Sequence, residues 1–345
     1  MNRRTFLQNT AITAGGIACL PGFLTAKEKG DIILGHNNKQ YRIDTKWGQL
    51  DFSRFPVKDC HEMVQDSRGR IILLTNETKN NIIIYNKKGK LLKTWGTEYP
   101  GGHGLTLFNE NGQEVLFICD NNRHQVIKTN LDGRVLMTLD YPKETGAYSK
   151  ADEYIPTETT IAPNGDIYVV DGYGKDFIIH YNYKGEYIRH WGGRGPEEKH
   201  LQNAHGICYD NRQKDKPVLI VTSREQNAFK RYTLTGEYID TIHMPGAWVC
   251  RPVIHGDYLY AAVLQSQNSL WKESGFVTIL DKNNKVVSNP GGTEPTYTNN
   301  QLSEMYQSSR VFQYPHDVCI DEDENLYVAQ WNSGHVYPYK LTPVS

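Results

Sequence analysis

Alternating apolar and polar residues run through the chain in short stretches, each closed by a cluster of Gly, Asn or Asp. Alternation with a period of two predicts half-buried β-strands, and the clusters between them predict tight turns. The clearest unit is Tyr85-Asn86-Lys87-Lys88-Gly89-Lys90-Leu91-Leu92-Lys93-Thr94-Trp95-Gly96, which returns as Tyr181-Asn182-Tyr183-Lys184-Gly185-Glu186-Tyr187-Ile188-Arg189-His190-Trp191-Gly192. Weaker copies lie at 130–139, 233–242 and 281–288. Each reads as a hairpin whose turn usually ends in Gly. Gly89, Gly133, Gly185, Gly236 and Asn284 are 44, 52, 51 and 48 residues apart, about the length of one four-stranded propeller blade.

A second pattern keeps step with the hairpins. Gly102-His103-Gly104-Leu105, Ala204-His205-Gly206-Ile207 and Pro315-His316-Asp317-Val318 each place a histidine, then a small or acidic residue, then an apolar strand. Looser copies are Cys60-His61-Glu62-Met63, Pro156-Thr157-Glu158-Thr159 with threonine in place of histidine, and Cys250-Arg251-Pro252-Val253, the weakest of the six. Units that each open with a polar residue at one level describe radial symmetry about a shared axis. The fold class expected is an all-β, six-bladed propeller of four-stranded blades spanning residues 27–345. Six ring positions but five hairpins leave the last blade one strand short. Lys39 to Gly48 resembles the outer strands that end in Trp-Gly, and is expected to close that blade from the N-terminal side, protecting exposed edges. Trp47, Trp95 and Trp191 are expected to pack the outer strands. The longest irregular inserts are at 142–154, 192–202 and 290–313, and the first and last, rich in Tyr, Glu, Thr and Asn, are the candidates for walls over one face.

Composition narrows the function classes. A net charge of −1 gives no field to recruit nucleic acid or an anionic membrane, and no stretch past the N-terminus is apolar enough to span a bilayer. The 22 tyrosines and 30 glycines suit short strands and turns. Residues 1–26 form an export address: Arg3-Arg4 precede an apolar run from Ala11 to Leu24, as in a twin-arginine signal. Cleavage after Leu24-Thr25-Ala26 would release a periplasmic or extracellular protein. Cleavage before Cys19 would instead leave a lipid anchor there. The mature chain keeps Cys60, Cys119, Cys208, Cys250 and Cys319, an odd number without a C-x-x-C pair, so buried thiols between blades are expected rather than disulfides.

These repeats resemble NHL-type repeats, and the whole pattern resembles the six-bladed propellers of peptidyl-α-hydroxyglycine α-amidating lyases over nearly all of the mature chain. The resemblance implies a zinc ion held in the channel by His103, His205 and His316, with His61 a further candidate. It implies a calcium ion bound by the Asp317 carboxylate and the Leu105 backbone oxygen. It also implies a catalytic Tyr173, within Val170-Asp171-Gly172-Tyr173-Gly174, and a substrate-binding Arg224, within Thr222-Ser223-Arg224-Glu225. The chemistry is coherent. Three imidazoles leave an open coordination position, a phenol beside a cation can act as a base, and a guanidinium fork suits a carboxylate.

Two features depart from that family. Leu74-Thr75-Asn76-Glu77 stands where a further arginine is expected, and the first inner strand carries His61-Glu62. Glu62, Asn76, Glu158 and Arg251 are therefore the candidate substrate-binding residues, and a channel lined by carboxylates would favour a different substrate or a second cation. The expected function is a metal-dependent lyase acting on a small molecule or peptide in the channel of a monomer. The alternatives are a metal-dependent enzyme for a carbohydrate or lactone, and a secreted scaffold without catalysis.

Overall fold

The computed structural model describes residues 32–266 and 274–344. The proposed export signal and Cys19 lie outside the described residues. The chain begins with β1 (Ile33–His36) and β2 (Lys39–Asp44), followed by blade 1: β3 (Cys60–Gln65), β4 (Ile71–Thr75), β5 (Ile82–Tyr85) and β6 (Leu91–Trp95). Blade 2 holds β7 (Gly102–Glu110), β8 (Gln113–Asp120), β9 (Gln125–Asn130) and β10 (Val135–Leu139). Blade 3 holds β11 (Glu158–Ile161), β12 (Ile167–Val170), β13 (Phe177–Tyr181) and β14 (Tyr187–Gly192). Blade 4 holds β15 (Ala204–Asp210), β16 (Val218–Ser223), β17 (Ala228–Tyr232) and β18 (Tyr238–His243). Blade 5 holds β19 (Ala247–His255), β20 (Tyr258–Ser266), β21 (Phe276–Leu280) and β22 (Val286–Ser288). A small hairpin, β23 (Tyr297–Thr298) and β24 (Gln301–Leu302), precedes blade 6, which holds β25 (Pro315–Ile320), β26 (Leu326–Gln330) and β27 (Tyr339–Pro343).

Every sheet is antiparallel, and each inner strand contacts the inner strand of the next blade, with β25 meeting β3 to complete the circle. The hydrophobic core is divided accordingly, with one apolar cluster in each of the six gaps between blades. Middle strands such as β4 and β5 are buried at every position because a neighbouring blade covers each face. Outer strands such as β6 are half exposed. Cys208 and Cys319 lie in these gaps, Cys60 and Cys119 likewise, and all five cysteines of the described residues are unpaired and buried.

The five hairpin turns fall where the repeat places them. Gly89, Gly133, Gly185, Gly236 and Asn284 all adopt positive φ, a conformation that favours Gly and tolerates Asn. The repeated tryptophans explain why glycine recurs. A Cβ at Gly236 would lie 2.7 Å from Trp191, and one at Gly133 would lie 2.7 Å from Trp95, so the indole of one blade packs on the turn of the next.

Closure comes from the N-terminal side. β2 pairs with β27 through Tyr41↔Pro343, Arg42↔Thr342, Ile43↔Leu341 and Asp44↔Lys340. The strand ends at Asp44, earlier than the Trp-Gly echo suggests, and β1 adds a fifth strand outside it. Trp47 sits in the following turn, between Tyr85 and Tyr327 at ring distances of 5.1 and 4.7 Å, and its indole N–H donates to the Lys87 carbonyl at 3.0 Å. Trp47→Ala opens a cavity at the seam between blades 6 and 1, and is expected to cost about 3 kcal/mol or more. Urea unfolding of the purified variant checks this, and an unchanged midpoint would contradict the role given to the seam.

Among the described residues helix is confined to three short 3-10 turns, Lys143–Thr145, Ala151–Glu153 and Arg224–Gln226. The first two belong to the insert at 142–154, which braces the loop after β12: the Tyr148 hydroxyl donates to Asp171 at 2.6 Å, and Lys175 Nζ donates to the Ala147 carbonyl at 2.7 Å.

Candidate metal centre

The inner strands carry the site because five of them are bulged at the same level. β3 breaks register between Cys60 and Glu62, β7 between Gly102 and Gly104, β15 between Ala204 and Ile207, β19 between Val249 and Pro252, and β25 between Pro315 and Asp317. In β3, β7 and β25 the extra residue is the histidine. A bulge overrides the strict alternation of a strand, so two consecutive side chains can share the channel side. That produces two stacked levels, imidazoles above and charged groups below. The glycines that follow two of the histidines make room for the ring to close. A Cβ at Gly206 would lie 2.5 Å from Arg251 Cα, and one at Gly104 would lie 2.5 Å from the Thr157 carbonyl oxygen.

At the upper level His61, His103, His205 and His316 converge. Ring centroids are 4.8 Å apart for His61 and His103, 4.9 Å for His61 and His316, 4.8 Å for His103 and His205, 4.8 Å for His205 and His316, and 5.0 Å for His103 and His316. These distances describe two near-equilateral triangles that share the His103–His316 edge. The trio His61, His103 and His316 brings its nitrogen atoms within 4.8 Å of one another. His205 completes the other triangle by ring distance, the one expected from the sequence, but the nitrogens that converge are those of His61, His103 and His316.

The tautomers of the shared pair follow from their partners. His103 Nδ1 donates to the Thr157 carbonyl at 2.9 Å, and His316 Nδ1 donates to the His61 carbonyl at 3.1 Å, since a carbonyl can only accept. Both therefore carry the lone pair on Nε2. A backbone acceptor behind each imidazole is the usual support of a metal-ligating histidine. His61 and His205 each hold a buried Nδ1 without a hydrogen-bond partner, a costly arrangement that a ligand to the ring would relieve. Burial pushes His61 down to about 3 and holds the other three imidazoles well below their ordinary value. All four are neutral at pH 7, as nitrogen donors to a metal must be. The donor set fits a transition metal such as zinc.

That neutrality has a stability cost in acid. Unfolded imidazoles take up protons below about pH 6.5 while the folded ones do not, so stability is fully present above that pH and is lost as the pH falls. Each such histidine adds a slope of about 1.4 kcal/mol per pH unit. Melting of metal-free protein is expected to fall steeply between about pH 6.5 and 5. A variant with all four histidines replaced by glutamine should lack this fall, and a flat wild-type profile would contradict it.

Tyr173 and Arg224 stand over the imidazoles. The Tyr173 hydroxyl lies 3.1 Å from His103 Nε2 and 3.0 Å from His205 Nε2. With the His103 lone pair already assigned to Nε2, the phenol can donate there and accept from His205. Its residue is 38% exposed, so the ring faces the channel mouth while the hydroxyl reaches the imidazoles. The loop that presents it is fastened by Asp171, whose carboxylate accepts from Ile155 N at 2.6 Å, Lys175 N at 2.7 Å and the Tyr148 hydroxyl. Thr157, the threonine in a histidine position, is a positioning residue that sequence reasoning passed over. Its carbonyl orients His103, and its hydroxyl accepts from Gly172 N at 3.3 Å, next to Tyr173. Arg224 is buried, donating from Nε to the Val249 carbonyl at 3.3 Å and from Nη2 to Cys250 Sγ at 3.0 Å. Burial raises the Tyr173 phenol, and the Arg224 charge opposes that rise.

The lower level contains Glu62, Glu158, Arg251 and Asp317, all buried. Arg251 grips Asp317 with two bonds, Nε to Oδ1 at 3.0 Å and Nη2 to Oδ2 at 2.8 Å. It also donates from Nη1 to the Leu105 carbonyl and from Nη2 to the Met63 carbonyl, each at 3.0 Å. Glu62 accepts from Leu105 N at 2.6 Å, and Glu158 accepts from Thr159 N at 2.8 Å and Thr106 Oγ1 at 3.0 Å. Burial pushes the Glu62 carboxyl well above the usual carboxylate range and raises Glu158 too. Three expectations change here. Glu62, Glu158 and Arg251 are sealed beneath the imidazoles instead of lining a substrate surface. Asn76 turns away to Asp59, bonding its carboxylate at 2.9 Å. The two oxygens expected to hold calcium, from Asp317 and Leu105, are both taken by Arg251, so that pair does not fit a bound calcium ion.

No family model matches the chain. It is 24% identical over 335 residues to peptidyl-alpha-hydroxyglycine alpha-amidating lyase 1 of Drosophila melanogaster, covering 90% of this chain and 55% of that protein. The chain thus spans about half the length of that relative. Among solved structures it is similar to a streptogramin B lyase, at a TM-score of 0.54 and 15% identity over 83% of this chain and 94% of the other. It is also similar to a gluconolactonase, XC5397 of Xanthomonas campestris, at a TM-score of 0.60 and 11% identity over 91% and 95%. The resemblance to amidating lyases therefore holds along the chain, and the propeller is shared more widely.

Proposed function

We propose that this protein is an exported, metal-dependent lyase of the peptidylamidoglycolate type. The observation that carries the reading is the Tyr173 hydroxyl, held within hydrogen-bond distance of two ring imidazoles by a residue that is itself partly exposed. His103 and His316 would hold the metal, with a third nitrogen from His61 or His205. A divalent metal bound there supplies a Lewis acid that acidifies a substrate hydroxyl. Arg224 provides a fixed positive charge beside Tyr173 for the substrate carboxylate. In its phenolate form, which the Arg224 charge and a neighbouring cation would favour, Tyr173 would accept the hydroxyl proton of an α-hydroxyglycyl peptide at its phenolic oxygen. The C–O bond becomes a carbonyl as the C–N bond breaks, and the nitrogen takes a proton. The products are a peptide carboxamide and glyoxylate, with no change in oxidation state. Export rests on the twin arginines, Arg3 and Arg4.

A sugar or lactone reading called for Glu62 and Glu158 at a substrate surface, and their complete burial weighs against it. Incubation of the zinc-loaded protein with an α-hydroxyglycyl peptide tests the proposal. Glyoxylate is expected in equal amount to the carboxamide, at a rate far above the spontaneous one. Turnover of sugar lactones alone would favour the second reading, and failure with both classes would favour a scaffold.

A further inference from the structure

We infer that Arg251 is a built-in replacement for a channel cation, so that this propeller needs no calcium to hold its axis together. The inference is independent of the reaction proposed above.

Without Arg251 the lower level would contain carboxyl oxygens from three blades around one space. Glu62, Glu158 and Asp317 come from blades 1, 3 and 6, each side chain is wholly buried, and the backbone oxygens of Met63 and Leu105 point at the same space. Five oxygen groups directed at one point on an axis form the environment that hard divalent cations select. Three acidic groups gathered there need donors or a cation to satisfy their oxygens. The guanidinium from blade 5 enters that space. Four of its five N–H bonds reach Asp317 twice, Leu105 and Met63, and Nη1, which carries the fifth, lies 3.6 Å from Glu62. Nε lies 3.8 Å from Glu158. The planar fork thus bonds blades 1, 2 and 6 to its own blade, the crosslinking expected of a structural ion. Its position is permitted sterically by Gly206 on the inner strand of blade 4, where any side chain would strike the Arg251 backbone. With its donors directed to protein oxygens and carbonyls, the guanidinium leaves no donor set of adequate size for a calcium ion.

The test uses the full mature chain and Arg251→Met. Melting temperatures are measured in millimolar calcium and in EGTA, on protein stripped of zinc beforehand so that the two buffers differ only in calcium, with terbium luminescence as a direct probe of a calcium-type site. Wild type is expected to melt within about 1 °C in the two buffers and to give no terbium signal. Arg251→Met leaves buried carboxylates without a counter-charge, so in EGTA it should melt about 5 °C or more below wild type. Calcium should restore part of that loss, and terbium should bind. A wild type that gains several degrees in calcium, or that binds terbium at one site per chain, would overturn the inference. So would an Arg251→Met protein that is as stable as wild type in EGTA and indifferent to calcium. Should the variant fail to fold in EGTA, the wild-type measurements decide by themselves.

Discussion

Tyr173→Phe lowers kcat on an α-hydroxyglycyl peptide by about 100-fold or more, the range that removal of a positioned base usually costs. The reason lies in the place of its hydroxyl, 3.1 Å from His103 and 3.0 Å from His205 and so beside the proposed metal position, and in the charge of Arg224 next to it. Phenylalanine keeps the ring that faces the channel mouth and removes only the oxygen, so KM and bound metal should change little. That split separates a base from a packing residue. A variant that loses metal along with activity would instead mark Tyr173 as part of the metal site. A variant that keeps its kcat would end its role in the reaction. Steady-state kinetics and metal analysis on the same preparation give both readings.

The second large effect concerns the edge shared by the two histidine triangles. His103→Ala or His316→Ala should reduce zinc affinity by at least about 100-fold, because each removes a donor common to both possible ligand sets. His61→Ala and His205→Ala will differ from one another. The member that serves as third donor should behave like the shared pair, and the other should retain zinc. Competition titration with a chromophoric chelator measures all four. Equal and modest losses across the ring would contradict a three-nitrogen site built on that edge.

Much of this arrangement is legible in the residues. From His61 to Arg251 each ring position lies 28 to 33 residues before the hairpin turn of its own blade, so radial repetition follows from spacing, and the shared motif sets His103, His205 and His316 at a common level. The matching Trp-Gly ends point to the closing segment because an indole packs on a turn glycine at three seams, Trp47 on Gly89, Trp95 on Gly133 and Trp191 on Gly236, whereas Leu139 and Met137 meet Gly185. What stays hidden depends on pairing between strands. A bulge is a register shift, decided by how β3, β7, β15, β19 and β25 meet their partners, and it decides whether Glu62, Arg251 and Asp317 share the channel with the residues before them. Strict alternation would have sent them elsewhere. The weakest of the six ring alignments, Cys250-Arg251, proves to hold the residue with the most contacts across the axis. Asn76 was read from its offset alone, which could not reveal that Asp59 would capture its amide. Thr157 contributes through its backbone carbonyl and a tether to Gly172, and neither depends on its being an aligned ligand.

The central claim is that the imidazole ring holds one divalent metal ion. Its most direct test is the metal content of protein purified without added metal or chelator, set against a variant in which His103 and His316 are both alanine. About one zinc or other transition-metal ion per chain in wild type, and none in the variant, is the predicted result. A wild type that is metal-free, and remains so after zinc is offered, would contradict it.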